Sequence, residues 1–152
     1  MAAALLGGVP GVSQVFCGSA VTYREATKTC WLDVPEATLQ RYTAESPEAT
    51  RALADQVLRH TPEATVAAAV TGHLGPDADD DIDGLVHMGV MLRPPADNRA
   101  GAPPPTSPSS SPYQATTIRL EQSGRRERQM ESATRLLQFI SDTLASWGEP
   151  AS

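Results

Sequence analysis

At 152 residues the chain has the length of one domain, enough to bury a single core. Aromatic residues make up only 5% of it, so that core must rest on Ala, Val and Leu. A net charge of -6 excludes a general nucleic-acid binder, which needs a basic face to neutralise phosphates. It leaves room for a small anion held locally by a few arginines.

Residues 2–6 are Ala and Leu helix formers, and the GGVPG that follows ends the helix in a turn. The opening MAAALLGGV lacks the basic start of a secretory signal, and no apolar run reaches the length of a membrane span. A cytoplasmic protein with no membrane partner is therefore expected. Residues 12–23, VSQVFCGSAVTY, mix β-branched, aromatic and small side chains and predict a buried strand. REATKTCWL then suits a helix, and DVPEATLQRYT a second short one with Pro35 near its first turn. Cys17 and Cys30 are too few for a disulfide scaffold and are expected as reduced thiols.

Ser46 is a good N-cap and Pro47 suits the first position of the next helix, where Ala49, Leu53, Val57 and Leu58 form an apolar stripe. The runs ATVAAAVTG (64–72) and GLVHMGVML (84–92) predict interior parallel strands. Residues 94–112 form a Pro/Ser/Gly/Ala tract that cannot pack a core and reads as a flexible loop inside the domain. Strand-like YQATTIRLE follows it, then a long helix whose stripe runs Met130, Ala133, Leu137, Ile140, Leu144 and Trp147. Strands alternating with helices predict one α/β domain over residues 1–152, a three-layer α/β/α sandwich around a mixed or mostly parallel sheet.

Four groups of residues could carry chemistry. In DADDDIDG (77–84), Asp79, Asp81, Asp83 and Gly84 reproduce the opening of an EF-hand calcium loop. The twelfth position, which needs a bidentate acid, is instead Val90 in a predicted strand, so the cluster reads as a solvated loop. The loop VTGHLGPDAD brings Gly72, His73, Gly75 and Pro76 to the end of a strand, where exposed N–H groups can hold a carbonyl or a phosphate; a plain tight turn fits the same residues. GRRERQ (124–129) puts arginines at a helix start, a placement that opposes the helix dipole unless an anion binds there. Lastly, Lys28 is the one lysine among twelve basic residues and follows Tyr23 by five positions. A lysine can act as general base, which arginine cannot, and a tyrosine hydroxyl can relay a proton.

Taken in order, these motifs resemble the C-terminal domain of the CinA family, the nicotinamide-nucleotide amidases. That family's Val-Pro-Gly followed by a strand ending Tyr-x-x-x-x-Lys is similar to GGVPGVSQVFCGSAVTYREATK, which places Tyr23 and Lys28. Its His-Gly-Ala-Val-Ser resembles YTAES, with Ser46 in register and Glu45 in place of valine. Its Gly-x-x-Gly-Pro matches Gly72, Gly75 and Pro76, with His73 entering the loop, and its Gly-Asp-Arg resembles GRR with Arg126 on the arginine. The resemblance implies hydrolysis of the carboxamide of nicotinamide mononucleotide to nicotinate mononucleotide and ammonia, in a homo-oligomer, with no metal or cofactor. It implies Lys28 as general base, Tyr23 as its proton partner, the 72–76 loop and Ser46 as substrate contacts, and Arg126 on the phosphate.

The family's nucleophilic serine, in Ser-x-Thr-Gly-Gly, falls about one helical turn before Met1, and the family's first strand falls before it. Two expectations follow. Either the protein begins upstream with that serine, the favoured one because an apolar helix starting mid-turn is a poor terminus, or it is a non-catalytic nucleotide-binding or oligomerisation relative.

Overall fold

A computed structural model describes residues 1–75, 78–93 and 111–148. Pro76 and nearly all of the 94–112 tract lie outside them. In chain order the elements are α1 (Ala2–Gly7), a 3-10 turn (Val12–Gln14), α2 (Glu25–Leu32), α3 (Glu36–Tyr42), α4 (Pro47–His60), β1 (Val66–Gly72), β2 (Leu85–Leu92), β3 (Tyr113–Arg119) and α5 (Arg125–Gly148).

The helices form where local chemistry starts and stops them. Ser46 caps α4 by accepting from the Ala49 N–H at 3.1 Å, with Pro47 at the first helical position. At the other end of α4, Arg93 reaches from beyond β2 and donates to the carbonyls of Thr61 and Leu58, satisfying groups that the helix leaves unpaired. Ala49, Leu53 and Leu58 are buried as their spacing requires, together with Ala54 and Thr50. In α5 the buried face differs from the expected stripe. Ser132, Ala133, Leu136 and Thr143 are buried, whereas Met130 and Leu144 are about 40% exposed, because the helix presents the neighbouring row of side chains to the sheet.

The sheet corrects two expectations. The strand order is β1-β2-β3 and both pairings are antiparallel, with Ala69 opposite Gly89 and Gly89 opposite Ala115. A parallel return needs a crossover, usually through a helix. Here the 73–84 connection continues the ladder instead, His73 donating to the Leu85 carbonyl and Gly84 to that of His73. The unbroken apolar run of β2 reflects its central place between two strands with both faces covered, which antiparallel order also allows. The second correction concerns residues 12–23. After the 3-10 turn they run without a ladder partner among the described residues, and Val15, Val21 and Tyr23 are more than 70% exposed. Strand-forming residues need a pleated neighbour to pack on.

Helices lie against both faces of the sheet. Ala67, Ala69 and Met91 face α4, in a core that Leu32, Val34 and Leu39 extend under α2 and α3. Val86, Met88 and Ile118 face Leu136, Phe139 and Ile140 of α5, beside Ala2 of α1. A buried hydroxyl pair, Thr50 with Thr71 at 2.8 Å, fixes the start of α4 to the end of β1. Thr50 gives its proton to the Ser46 carbonyl, so Thr71 is the donor in the pair.

Candidate functional site

The glycine loop leaves β1 at Gly72. A side chain there would lie 2.5 Å from the Leu85 carbonyl oxygen and 2.7 Å from the Val86 Cα, so the two strands approach too closely for any other residue. Gly75 turns the chain with φ +59, and a Cβ would stand 2.8 Å from an Arg128 nitrogen and 3.0 Å from an Asp83 oxygen. Both glycines are thus required by geometry. His73 between them is half-buried and paired through its backbone.

Three arginines pin this loop and the acidic turn after it. Arg128 forms a bidentate pair with Asp83, both bonds 2.6 Å, and its Nε donates to the Gln122 carbonyl. Arg119 donates to the carbonyls of Asp80, Asp81 and Asp83. Arg125 donates to the Gly75 carbonyl and, at 3.0 Å, to the Tyr23 hydroxyl. The Arg128 hydrogen bond, with added attraction from Arg119, holds the Asp83 carboxyl below its ordinary range, and Asp83 in turn raises Arg128. Asp83 therefore serves as an anchor within the acidic cluster instead of facing solvent unpaired. Val90, where a calcium loop needs its last acid, is fully buried in β2. No group of three metal-ligating side chains occurs among the described residues.

Gly75, Ala78, Asp80, Ser123 and Arg125 line an open cleft of about 490 Å³ over this clamp. The first turn of α5 borders it through Arg125. Arg126, one residue on, is exposed and makes no hydrogen bond among the described residues.

A second group sits at the start of α4. Lys28 projects inward from α2, only 4% exposed, and its Nζ lies 3.9 Å from Glu45 Oε1. Ser46, next to Glu45, is buried, its hydroxyl donating to the Thr43 carbonyl while it caps α4. The Thr50–Thr71 pair joins this group to the end of β1, where the glycine loop begins. Tyr23 belongs to the Arg125 group, and no hydrogen bond links it to Lys28. Further along the same sheet face, His87 donates or accepts at 2.8 Å with Thr117. Burial pushes its imidazole below the ordinary value, His73 adds to that, and Glu48 opposes it. Cys17 and Cys30 are free and exposed.

The sequence singled out residues of both groups but not which side chains hold them together. Arg125 and Arg128 stood inside a recognised arginine cluster, and only the fold distinguishes them from Arg126. No helix of the described residues is long and apolar enough to cross a membrane.

The model for the CinA C-terminal domain family matches residues 1–100. The chain is 45% identical over 71 residues to a CinA-like protein of Myxococcus xanthus, covering 47% of this chain and 17% of that protein. It is 34% identical over 87 residues to a putative competence-damage inducible protein of Alkaliphilus oremlandii, covering 55% and 20%. The matched region thus spans about a fifth of the length of these curated relatives. Among solved structures, competence damage-inducible protein A of Klebsiella pneumoniae superposes with a TM-score of 0.79 at 20% identity, over 96% of this chain and 80% of that one. A competence/damage inducible protein of Agrobacterium tumefaciens does so with a TM-score of 0.73 at 26% identity, over 92% and 76%. These likenesses establish the fold.

Proposed function

The chain belongs to the CinA C-terminal domain family, and on that premise we propose that it forms the substrate-binding and proton-handling part of an amidohydrolase site for nicotinamide mononucleotide. The observation that carries this reading is the burial of Lys28, its one lysine, beside the start of α4 and one hydroxyl pair away from the glycine loop. A surface lysine of ordinary role stays in water, since burying an ammonium costs several kcal/mol.

In the proposed reaction a serine hydroxyl from the family's Ser-x-Thr-Gly-Gly segment attacks the carboxamide carbon. Lys28 takes the hydroxyl proton and Tyr23 passes a proton to the departing nitrogen, so the C–N bond breaks and ammonia leaves; when water attacks the acyl-serine, the Tyr23 phenolate takes a proton from it and Lys28 returns its own to the serine oxygen. Water then hydrolyses the acyl-serine to nicotinate mononucleotide, a step of pyridine nucleotide salvage. Backbone N–H groups of the glycine loop face the ring or ribose, with His73 between the two glycines, and Arg126 at the α5 start takes the phosphate. Ser46 shapes the site by fixing α4. Helices against both faces support reading the sheet as the middle of a three-layer α/β/α unit, in a homo-oligomer of the cytoplasm.

One observation favours a second reading. Lys28 faces the carboxylate of Glu45, where the family motif has valine, so its ammonium already has an ion-pair partner. Under that reading the domain binds the nucleotide and does no chemistry. A single experiment separates the two. Ammonia release is measured for the 152-residue chain and for the same chain preceded by a Ser-x-Thr-Gly-Gly segment. The amidase reading expects nucleotide binding without turnover in the first, turnover in the second, and its loss in Lys28→Met. Binding without turnover in both would establish the second reading.

A further inference from the structure

Residues 15–24 lead from the 3-10 turn into α2 and carry Tyr23. Among the described residues, their backbone bonds only to groups three or four places away, at Val12, Thr27 and Lys28. Phe16 and Thr22 are half-buried and the rest are exposed. Among the described residues one long-range hydrogen bond reaches this segment, from Arg125 Nη2 to the Tyr23 hydroxyl, across 102 residues of sequence. The other arm of the same guanidinium, Nη1, donates to the Gly75 carbonyl.

Gly75 sits in a left-handed turn beside the Arg128–Asp83 pair, where a Cβ would stand 2.8 Å from an Arg128 nitrogen and 3.0 Å from an Asp83 oxygen. The planar fork of Arg125 therefore spans from the glycine loop to a tyrosine whose hydroxyl has no other hydrogen bond among the described residues. Both acceptors are uncharged, so the arginine is placed by the geometry of its donors and not by a carboxylate. Such a span needs the rigid fork, because a lysine is a single point charge on a flexible stem.

We infer that Arg125 is a positioning residue for Tyr23, latching the 15–24 segment to the glycine loop and thereby setting where the phenol stands relative to that loop. The catalytic meaning of the latch rests on the proposed role of Tyr23, but the latch itself does not. It assigns the two adjacent arginines different work: Arg125 ties the segment to the loop, and Arg126 stays exposed with no hydrogen bond among the described residues.

The test uses a nitroxide label on Cys17, inside the segment, in a Cys30→Ser background, with both thiols exposed in the native chain. The label's mobility is read by electron paramagnetic resonance and the melting temperature by circular dichroism. Arg125→Gln and Tyr23→Phe should each raise the label's mobility severalfold with little change in melting temperature. The double variant should go no further than either alone, because both remove one bond. Arg125→Lys should resemble Arg125→Gln, and Arg126→Gln should leave the spectrum as it was. Unchanged mobility in Arg125→Gln, additive effects in the double variant, or an equal effect from Arg126→Gln would each overturn the latch. No substrate enters this measurement, so a failed ammonia assay bears on the proposed reaction and leaves the latch standing.

Discussion

Thr43 adopts φ +70 and ψ 163, a region that costs a β-branched residue roughly 1–3 kcal/mol and that glycine enters freely. The surrounding structure enforces it. The Thr43 carbonyl accepts from the Ser46 hydroxyl, and its N–H donates to the Leu39 carbonyl as α3 ends. In the family's His-Gly-Ala-Val-Ser motif the glycine stands at this position. Thr43→Gly is therefore expected to stabilise the protein by about 1 kcal/mol after the added freedom of the unfolded chain is set against the relieved strain. Urea unfolding reads the gain, and an unchanged or lower midpoint would refute the strain. At this scale the sequence was informative where rarity or chemistry marks a residue. Lys28 stood out as the lone lysine and is buried. Arg125 and Arg126 could not be told apart, because neighbours on a helix point about 100° apart and only the fold says which one meets Gly75.

Helices were legible because their signals are local. Ser46, Pro47 and the Ala49–Leu53–Leu58 stripe specify α4 within fourteen residues of helix, with no need to know what lies opposite. Strands were less so. VSQVFCGSAVTY has the composition of a strand but no ladder, and β2 has the apolar run of a parallel strand but antiparallel neighbours. Composition reports burial and shape, whereas pairing and direction depend on distant partners. The acidic turn shows the same division. Its aspartates read alike in sequence, yet only Asp83 receives the Arg128 fork. Because that fork depresses the Asp83 value, the stabilisation is complete above the ordinary carboxylate value near pH 4 and is lost as pH falls through the lower folded value. Asp83→Asn should therefore lower the melting temperature at about pH 6 and reduce its further fall toward about pH 2. Parallel acid limbs in the variant and the native chain would count against the pair as the origin of that dependence.

On the scale of the whole molecule, a βββ meander with helices on both faces lets the Thr50–Thr71 pair join α4 to the end of β1, and Arg125 join the glycine loop there to Tyr23. The same architecture leaves the outer side of β1 without a partner strand among the described residues. β1 reads Val-Ala-Ala-Ala-Val-Thr-Gly, and Val70 is 37% exposed. Exposed edges are usually guarded by a charge or a proline, and this strand has neither. Association through this edge, one route to the proposed homo-oligomer, is then opposed by the shared net charge of -6, a force acting through solvent and cut to a range of about 10 Å at roughly 0.1 M salt. Colloidal behaviour should follow from this. Added sodium chloride ought to promote reversible self-association, seen as a rising apparent mass in light scattering, and Val70→Lys ought to suppress it. A chain defended at its edge would show little response to salt, whereas an edge opposed only by net charge should pair more readily as that charge is screened.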